Sequence, residues 1–297
     1  MIEAVLLQHL QQQPELVTFL STYAGKAAVF NQEAPPDTDR LWSKEQYGRL
    51  VFFLNMQDDP ARKISGQLEV DLICKTGEQI PEEIEPFIKE AIDGYFFTSD
   101  KETFAAQWSA SNYFTEPTQK TNGVTVIFDL LAFPYQETCD PDPVQLINNW
   151  TKQLMPTCSV IGRDTVDAVF KPDDERPAVY WRQTAISKCS WIPDTYHCSW
   201  LTSTLQGHIF TAEQNIAHAI ARTIEHKLTI AKRLIFPDNA PLMVDRNIRL
   251  NLTTDALRNG QITLDATYGI LNIEETPPIL EHLFIDEREV AADGNKD

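Results

Sequence analysis

Glycine, cysteine and basic residues are all scarce in this chain of 297 residues. Only 11 residues are glycine, which leaves little material for a glycine-rich loop that wraps a phosphate group. The five cysteines are odd in number and scattered, a poor basis for obligatory disulfides, so we expect reduced thiols. These shortages argue against a nucleotide-binding loop and against a disulfide-stapled secreted domain.

Acidic residues outnumber basic ones by 43 to 25, which gives a formal net charge of -18. Such a chain is not expected to bind a phosphate backbone through the release of counterions. The same charge favours solubility. It would also suit an acidic channel wall that repels a polyanion and does not bind it. The charge therefore argues against a nucleic-acid-binding module, but it is compatible with a channel through which DNA passes.

Long apolar runs are absent as well. No run approaches the roughly 20 residues that span a bilayer. Residues 1–10 carry Glu3 and His9 and lead into three glutamines, unlike a secretory signal. We expect a chain that stays in the cytoplasm of the producing cell, long enough for two domains of ordinary size.

Apolar periodicity in the first half predicts a sheet with covering helices. In chain order the predicted elements are a helical region broken at Pro14 (3–20), a short strand (27–30), two strands (49–56 and 66–75), a helix (81–95) and two further strands (104–114 and 124–133).

A long segment, residues 31–47, separates the first two of these strands. It contains Pro35, Pro36 and Trp42. Long loops are uncommon in compact domains unless they bind something. Trp42 is therefore either folded back on the core or an anchor for a partner.

Residues 139–143, which read Cys-Asp-Pro-Asp-Pro, are the best linker in the sequence, because proline stops a helix and removes a backbone donor. We predict one domain over residues 1–139, a second over 144–273 and a C-terminal arm over 274–297. In the second domain the predicted elements are a helix (144–155), two strands (178–184 and 196–210), a helix capped by Thr211 with Gln214 as capping-box partner (212–228), and two strands (242–253 and 261–271).

The order of elements in the second half matches that in the first. Residues 168–170 repeat the letters Ala-Val-Phe of residues 28–30, and the matching elements are offset by about half the chain, as a duplication requires. Chance similarity between two unrelated domains is the alternative, because residue identity is slight. The predicted fold class is α+β, with two similar domains, each a mainly antiparallel β-sheet covered by helices.

Potential metal ligands cluster in the second half: Cys189, His197, Cys198 and His208, with His218 further on. Their spacing fits no standard zinc pattern, and neighbours such as His197 and Cys198 point to opposite faces of a strand. We interpret them as core or surface residues.

Catalytic signatures are missing too. There is no nucleophile elbow and no pair of histidines at metal spacing on a helix. Glu69, Asp71 and Asp129 could supply a two-metal nuclease site, but they alternate with apolar residues and fit the wet face of half-buried strands. We predict no enzyme, and no catalytic, cofactor-binding or metal-binding residue.

The succession of elements through both halves resembles the tail terminator or tail-completion proteins of tailed bacteriophages. The residues that carry this resemblance are the opening helix, the extended segment 31–47, the paired strands 49–56 and 66–75, the helix 81–95 and the final hairpin that ends near residue 133. The resemblance covers most of the chain and contains no diagnostic motif.

The resemblance implies a ring between the tail tube and the head connector, without a cofactor or a membrane. Genomic DNA would pass through the ring without specific binding, and the protein would be assembled in the host cytoplasm into the virion. Members of the group are usually single domains, so a doubled chain leaves two stoichiometries: six chains, which we favour, or three chains that supply six similar positions.

Subunit contacts in such a ring are expected at Trp42 and, in the arm, at Leu280, Leu283 and Phe284. The alternatives are another virion neck or baseplate component, or a soluble α+β binding protein or enzyme. A pocket that gathers titratable groups would favour an enzyme, whereas segments that project toward neighbours would favour a ring.

Overall fold

Residues 2–271 are described by the computed structural model, with the exception of 44–45, 60–62, 100–101, 137–138, 163–165, 196 and 246. The fold is α+β, with two large, mainly antiparallel sheets and a few helices, as the sequence predicts. None of the helices in the described ranges is both long and apolar enough to cross a membrane.

The first half folds into two N-terminal helices, a covering helix and eight strands. They are α1 (Ile2–Gln11), α2 (Pro14–Val17), β1 (Thr22–Tyr23), β2 (Lys26–Ala27), β3 (Val29–Asn31), β4 (Arg49–Asp59), β5 (Lys63–Lys75), α3 (Pro81–Ile92), β6 (Phe96–Ser99), β7 (Glu102–Glu116) and β8 (Thr121–Pro134).

The second half begins with a helix directly after the predicted linker. Its elements are α4 (Pro143–Leu154), β9 (Ser159–Ile161), β10 (Val169–Phe170), β11 (Ala178–Lys188), β12 (Cys198–Phe210), α5 (Gln214–Ala231), β13 (Arg233–Ile235), β14 (Pro241–Val244), β15 (Arg249–Leu250) and β16 (Ile262–Leu271).

The two large sheets have the same strand order. Strands run β3-β4-β5-β8-β7-β6 in the first sheet and β9-β11-β12-β16-β14-β13 in the second. In each sheet the pair at one end, β3 with β4 or β9 with β11, is parallel, and the other pairs are antiparallel. The two halves are therefore copies of one topology, whatever their ancestry.

Among the described residues, helices cover one face of each sheet and leave the other without a helix. In the first half α1, α2 and α3 pack on a face made by residues such as Phe52, Val70 and Phe128, and in the second half α4 and α5 pack on Trp181 and Leu264. Full burial of one such side chain stabilises the fold by about 1.5–3 kcal/mol. Each half thus has its own core and leaves the opposite face of its sheet to other partners.

The start of α3 shows how the sequence fixes a helix end. Pro81 occupies the first turn, where no backbone donor is lost, and Glu82 and Glu83 favour the positive end of the helix dipole. Ile84 and Ile88 then face the sheet. The helix ends at Ile92, three residues before the predicted end.

Two predictions for the second half are wrong. Residues 168–170 are not the counterpart of residues 28–30: that position belongs to β9, while β10 pairs with β6 at the edge of the first sheet. The predicted strand 242–253 is interrupted: within it, β14 and β15 are two separate short strands that each pair with β16. One short strand thus crosses the predicted boundary between the halves.

The predicted cap of α5 is also wrong. The helix begins at Gln214 after the N-cap residue Glu213, and the Thr211 hydroxyl donates to the Glu213 carbonyl at 2.8 Å. The Gln214 side chain donates to the Leu252 carbonyl instead of closing a capping box.

Candidate functional site

The halves pack against each other through the sheet faces opposite their helices. The first half contributes side chains from β6, β7 and β8, and the second half contributes side chains from β9, β11 and β12. These side chains are Phe96, Ala105, Leu131 and Phe133 on one side and Ile161, Ala178, Tyr180 and Phe210 on the other. We call the first set the receiving surface and the second set the inserting surface.

Aromatic rings form the centre of this contact. Phe210 lies edge-on to Phe96 and to Phe133, with ring centroids 5.0 and 5.2 Å apart, and Tyr180 lies edge-on to Phe133 at 5.2 Å. Edge-to-face pairs at this spacing are favourable beyond the area that they bury. Since all four rings are at least nine-tenths buried, the contact is part of the folded core of the chain.

Polar bonds fix the relative position of the halves. The Tyr180 hydroxyl donates to the Pro134 carbonyl at 2.9 Å, and the Arg258 guanidinium donates to the Asp129 carboxylate at 2.8 Å. The Thr98 amide also donates to the Ala168 carbonyl at 2.8 Å, next to the pairing of β10 with β6. Directional bonds at three separate points leave the halves little freedom to rotate against each other.

The contact is heterologous: each half uses a different part of the shared topology. The first half offers the strands that close its sheet after the covering helix, and the second half offers the strands that precede its covering helix. A heterologous contact between two like units leaves one copy of each surface unused. The second half keeps a receiving surface. The inserting surface of the first half is covered by its own chain, because the ring of Phe30 lies 5.5 Å from that of Tyr23 and 5.6 Å from that of Trp42.

Strand registers identify these remaining surfaces residue by residue. Met243 pairs with Thr267 in the second sheet as Ala105 pairs with Leu131 in the first. Two residues earlier in each last strand, Asp265 takes the place of Asp129.

The inserting surface has its counterparts in the same way. Val160 pairs with Val179 as Val29 pairs with Leu50. It follows that Phe30, Val51 and Ile73 occupy the places of Ile161, Tyr180 and Phe210.

The remaining receiving surface borders a depression of about 600 Å³. Met243, Asp265 and Thr267 line it together with residues of β11, β12 and their connection, among them Trp191, which is 65% exposed. Hydroxyl groups order its floor: Thr204 donates to Asp265 at 2.6 Å, and Thr202 bonds Thr267 at 3.0 Å. It is more polar than its counterpart in the first half, where phenylalanines fill the contact.

Trp42, a predicted subunit contact, folds back within its own chain. Its indole is 7% exposed, its Nε1 donates to the Pro36 carbonyl at 3.1 Å, and its ring lies 5.0 Å from that of Tyr23. The neighbouring Leu41 is 55% exposed. The indole therefore fixes the segment, and Leu41 is the side chain offered to solvent. The other predicted contacts, Leu280, Leu283 and Phe284, lie outside the described residues.

Asp37 ties the middle of this segment to its C-terminal end and to the start of β4. Asp37 accepts hydrogen bonds from Arg49 at 2.6 Å and from the Tyr47 hydroxyl at 2.8 Å. Burial acts to raise the pKa of Asp37, but the bonds from Arg49 and Tyr47 outweigh it and lower the pKa.

Candidate metal ligands are not gathered. No group of three or more His, Cys, Asp or Glu side chains in the described part of the chain could hold a metal ion. His208 lies in the contact between the halves and bonds the Ala256 carbonyl at 2.7 Å, whereas His218 bonds the Leu252 carbonyl at 2.6 Å. Cys189 is buried elsewhere in the second half.

The acidic residues considered for a nuclease site have other partners. Asp71 accepts from the Thr125 hydroxyl at 2.5 Å and Asp129 pairs with Arg258. With Glu69, they lie on the face of the first sheet opposite its helices, as their alternation with apolar residues predicts.

One polar cluster could not be predicted from the sequence. The buried Glu85 carboxylate accepts from the Ser111 hydroxyl at 2.6 Å and from the Tyr113 hydroxyl, and pairs with Lys89. The bond to Glu85 raises the pKa of Tyr113 to about 12. The i, i+4 spacing of Glu85 and Lys89 on one helix face indicates their ion pair. Their partners Ser111 and Tyr113 on β7 are too distant in sequence for the rest of the cluster to be predicted. The cluster fastens α3 to β7.

The chain matches no protein-family model and no curated protein. The contact between the halves and the surfaces that it leaves open are therefore the features that bear most on function.

Proposed function

We propose that this protein is a structural virion protein that forms a ring at the head-proximal end of a phage tail. It ends the tail tube, joins it to the head or neck, and leaves a channel for DNA. Its partners are further copies of itself, the tail tube protein and the head-tail connector, and it needs no cofactor and catalyses no reaction.

The observation that carries this proposal is the heterologous packing of two like units within one chain. Heterologous contacts close into rings when the rotation between units allows it, whereas self-complementary contacts stop at a dimer. A chain that joins two units in this way already contains one heterologous contact of the kind from which rings are built.

Three further observations support the proposal. The order of elements in each half resembles that of tail terminator proteins. The net charge of -18 suits a channel wall that repels DNA and so lets it pass. The polar lining of the concave site fits contacts between chains that fold first and assemble later.

Deletion of the gene in the phage that encodes the chain tests this function. We expect free heads and unjoined tails of irregular length in electron micrographs of the lysate, with normal virions restored by a plasmid copy. Normal tails that fail only in adsorption would instead place the protein in the baseplate. Joined, infectious particles without the protein would contradict a structural role altogether.

A further inference from the structure

We propose that the edge strand β13 binds an extended segment of a partner protein by strand addition, and that basic side chains of this segment enter an acidic depression beside the edge. The binding does not depend on the proposed ring function. The partner is a different protein, because a chain with 43 acidic and 25 basic residues is a poor source of a basic segment.

The first half shows how such an edge is completed. There β10 adds to β6 as an antiparallel strand, with Phe170 opposite Phe96 and their ring centroids 5.2 Å apart. The Thr98 amide donates to the Ala168 carbonyl at 2.8 Å. Backbone groups of alternate residues in β6 thus point away from β7 and bond the added strand.

The counterpart of β6 in the second half is β13, which is the last strand of its sheet among the described residues. Strand registers place Arg233 in the position of Phe96. Ile235, two residues further on, takes the position of Thr98. Both residues of β13 are exposed, Ile235 to 47%. An open edge with an exposed apolar residue is a template for pairing with another chain.

The hydrogen bonds of β13 show which of its backbone groups face outward. The Phe236 amide and the Lys232 carbonyl each bond the opposite arm of the β13–β14 hairpin at 2.9 Å. Bonding direction alternates along an antiparallel strand, so the backbone groups of Arg233 and Ile235 point away from β14. Within the described part of the chain no hydrogen bond reaches these outward groups. They are the groups that an added strand would bond.

An acidic depression of about 670 Å³ lies beside this edge, between β13 and α4. Its lining includes Ile235 from β13 and Asn149 from α4. Three carboxylates and no lysine or arginine belong to the lining; the carboxylates are those of Asp140, Asp142 and Asp238. Asp140 and Asp238 form no ion pair with any other described residue. Lysine or arginine side chains of a bound segment would supply the opposite charge.

Strand geometry fixes the sequence pattern of the segment, because successive side chains point to opposite faces of a sheet. Leu234 and Phe236 pack in the core under the helices, so side chains opposite them lie on the face of the depression and are basic. Side chains opposite Arg233 and Ile235 lie on the other face, as Phe170 does in the first half, and are apolar. An aromatic ring there would stack on the Arg233 guanidinium. The segment therefore alternates basic with apolar residues.

Calorimetric titration of the purified full chain with the synthetic peptide Lys-Val-Lys-Val-Lys-Phe-Lys tests the inference. We expect saturable binding of one peptide per chain at about 0.15 M salt. N-methylation of the second Val and the Phe removes two amides that face β13 and should raise the dissociation constant by about tenfold or more. N-methylation of the two neighbouring Lys amides, which face away from β13, is the matched control and should leave binding unchanged.

Variants of the chain test the two parts of the site. Ile235→Pro removes the outward amide and no bond to β14, and proline is tolerated on edge strands. It should raise the dissociation constant by about fivefold, whereas Ile235→Val should not change it. Asp140→Asn with Asp238→Asn should weaken binding by about tenfold. Glu83→Gln with Glu90→Gln, an equal charge change on exposed α3, is the control. Circular dichroism checks that each variant is folded.

Hydrogen exchange of the Ile235 amide shows whether the edge is open. We expect fast exchange in the chain alone and protection when the peptide is bound. Protection in the chain alone would show that another segment or another copy covers the edge, and would overturn the inference. Absence of binding, an N-methylated peptide that binds as well as the parent, or equal binding of the scrambled peptide Lys-Lys-Lys-Lys-Val-Val-Phe would overturn it too.

Discussion

At the scale of single residues, Glu85 shows how a carboxylate is held in place. Burial acts to raise its pKa, but hydrogen bonds from Lys89, Ser111 and Tyr113 outweigh it and lower the pKa below the ordinary value of 4.5. The stabilisation is therefore fully present above that value and is lost as the pH falls through the lower pKa of the folded state.

We expect Glu85→Gln to lower the free energy of unfolding by about 1–3 kcal/mol at about pH 7, because it weakens three bonds to a buried group. Urea denaturation measures the loss. Glu83→Gln, exposed on the same helix, is the matched control and should change stability by less than about 0.5 kcal/mol. The difference between the variants should shrink at about pH 4. Equal losses for both variants, or a difference that does not change with pH, would contradict the role of this cluster.

At the same scale, the adjacent residues Trp42 and Leu41 have different roles: Trp42 is buried and stabilises the fold, whereas Leu41 is exposed and available for contact with another copy. Trp42→Ala should cost about 3–5 kcal/mol, since it removes a buried ring that packs on Tyr23 and Phe30. Leu41→Asp should leave the free energy of unfolding within about 0.5 kcal/mol but reduce assembly of the chain. Thermal denaturation and particle mass separate the effects. A Leu41→Asp variant that assembles normally would show that Leu41 does not contact another copy.

At the scale of elements, long strands and well-marked helices were predictable from sequence. The alternation over 66–75, the apolar run over 49–56 and the stripe over 81–95 gave β5, β4 and α3 with small errors at their ends. Pro14 separates α1 from α2 as expected. These elements satisfy local periodicity and tertiary packing together, so one signal is enough to find them.

Short strands were not predictable, because their pairing depends on distant partners. β6 and β13 have four and three residues, too few for a period to show. Residues 168–170 repeat the letters of residues 28–30, yet β9 occupies the equivalent position and β10 joins the other sheet. The same three residues form strands with different partners in the two halves. The pairing of β10 depends on the contact between the halves, which is a long-range property.

The candidate site could be predicted only in outline. Phe96, Phe133 and Phe210 look in the sequence like ordinary apolar residues at strand ends. Nothing local shows that they meet across two sheets. A repeated order of elements was visible, but the heterologous contact depends on three-dimensional placement.

At the scale of the whole molecule, the contact between the halves should make them unfold together. Phe133→Ala removes the ring at the centre of that contact and should cost about 3–5 kcal/mol. It should also split one cooperative thermal transition into two, because each half has its own core. Calorimetry distinguishes one transition from two.

Arg258→Ala is the matched variant on the rim of the same contact. Its guanidinium side chain is 50% exposed, so loss of the pair with Asp129 should cost less than about 1 kcal/mol and leave a single transition. If Phe133→Ala behaved like Arg258→Ala, the two halves would not depend on this contact.

The central claim is that the chain forms a ring where tail meets head. Cryo-electron microscopy of tailed virions purified from cells that express the chain tests this most directly. We expect density for this fold as a closed ring at the head-proximal end of the tail tube, with six like units around a DNA channel. Density for the chain at the tail tip, or virions that lack the chain, would contradict it.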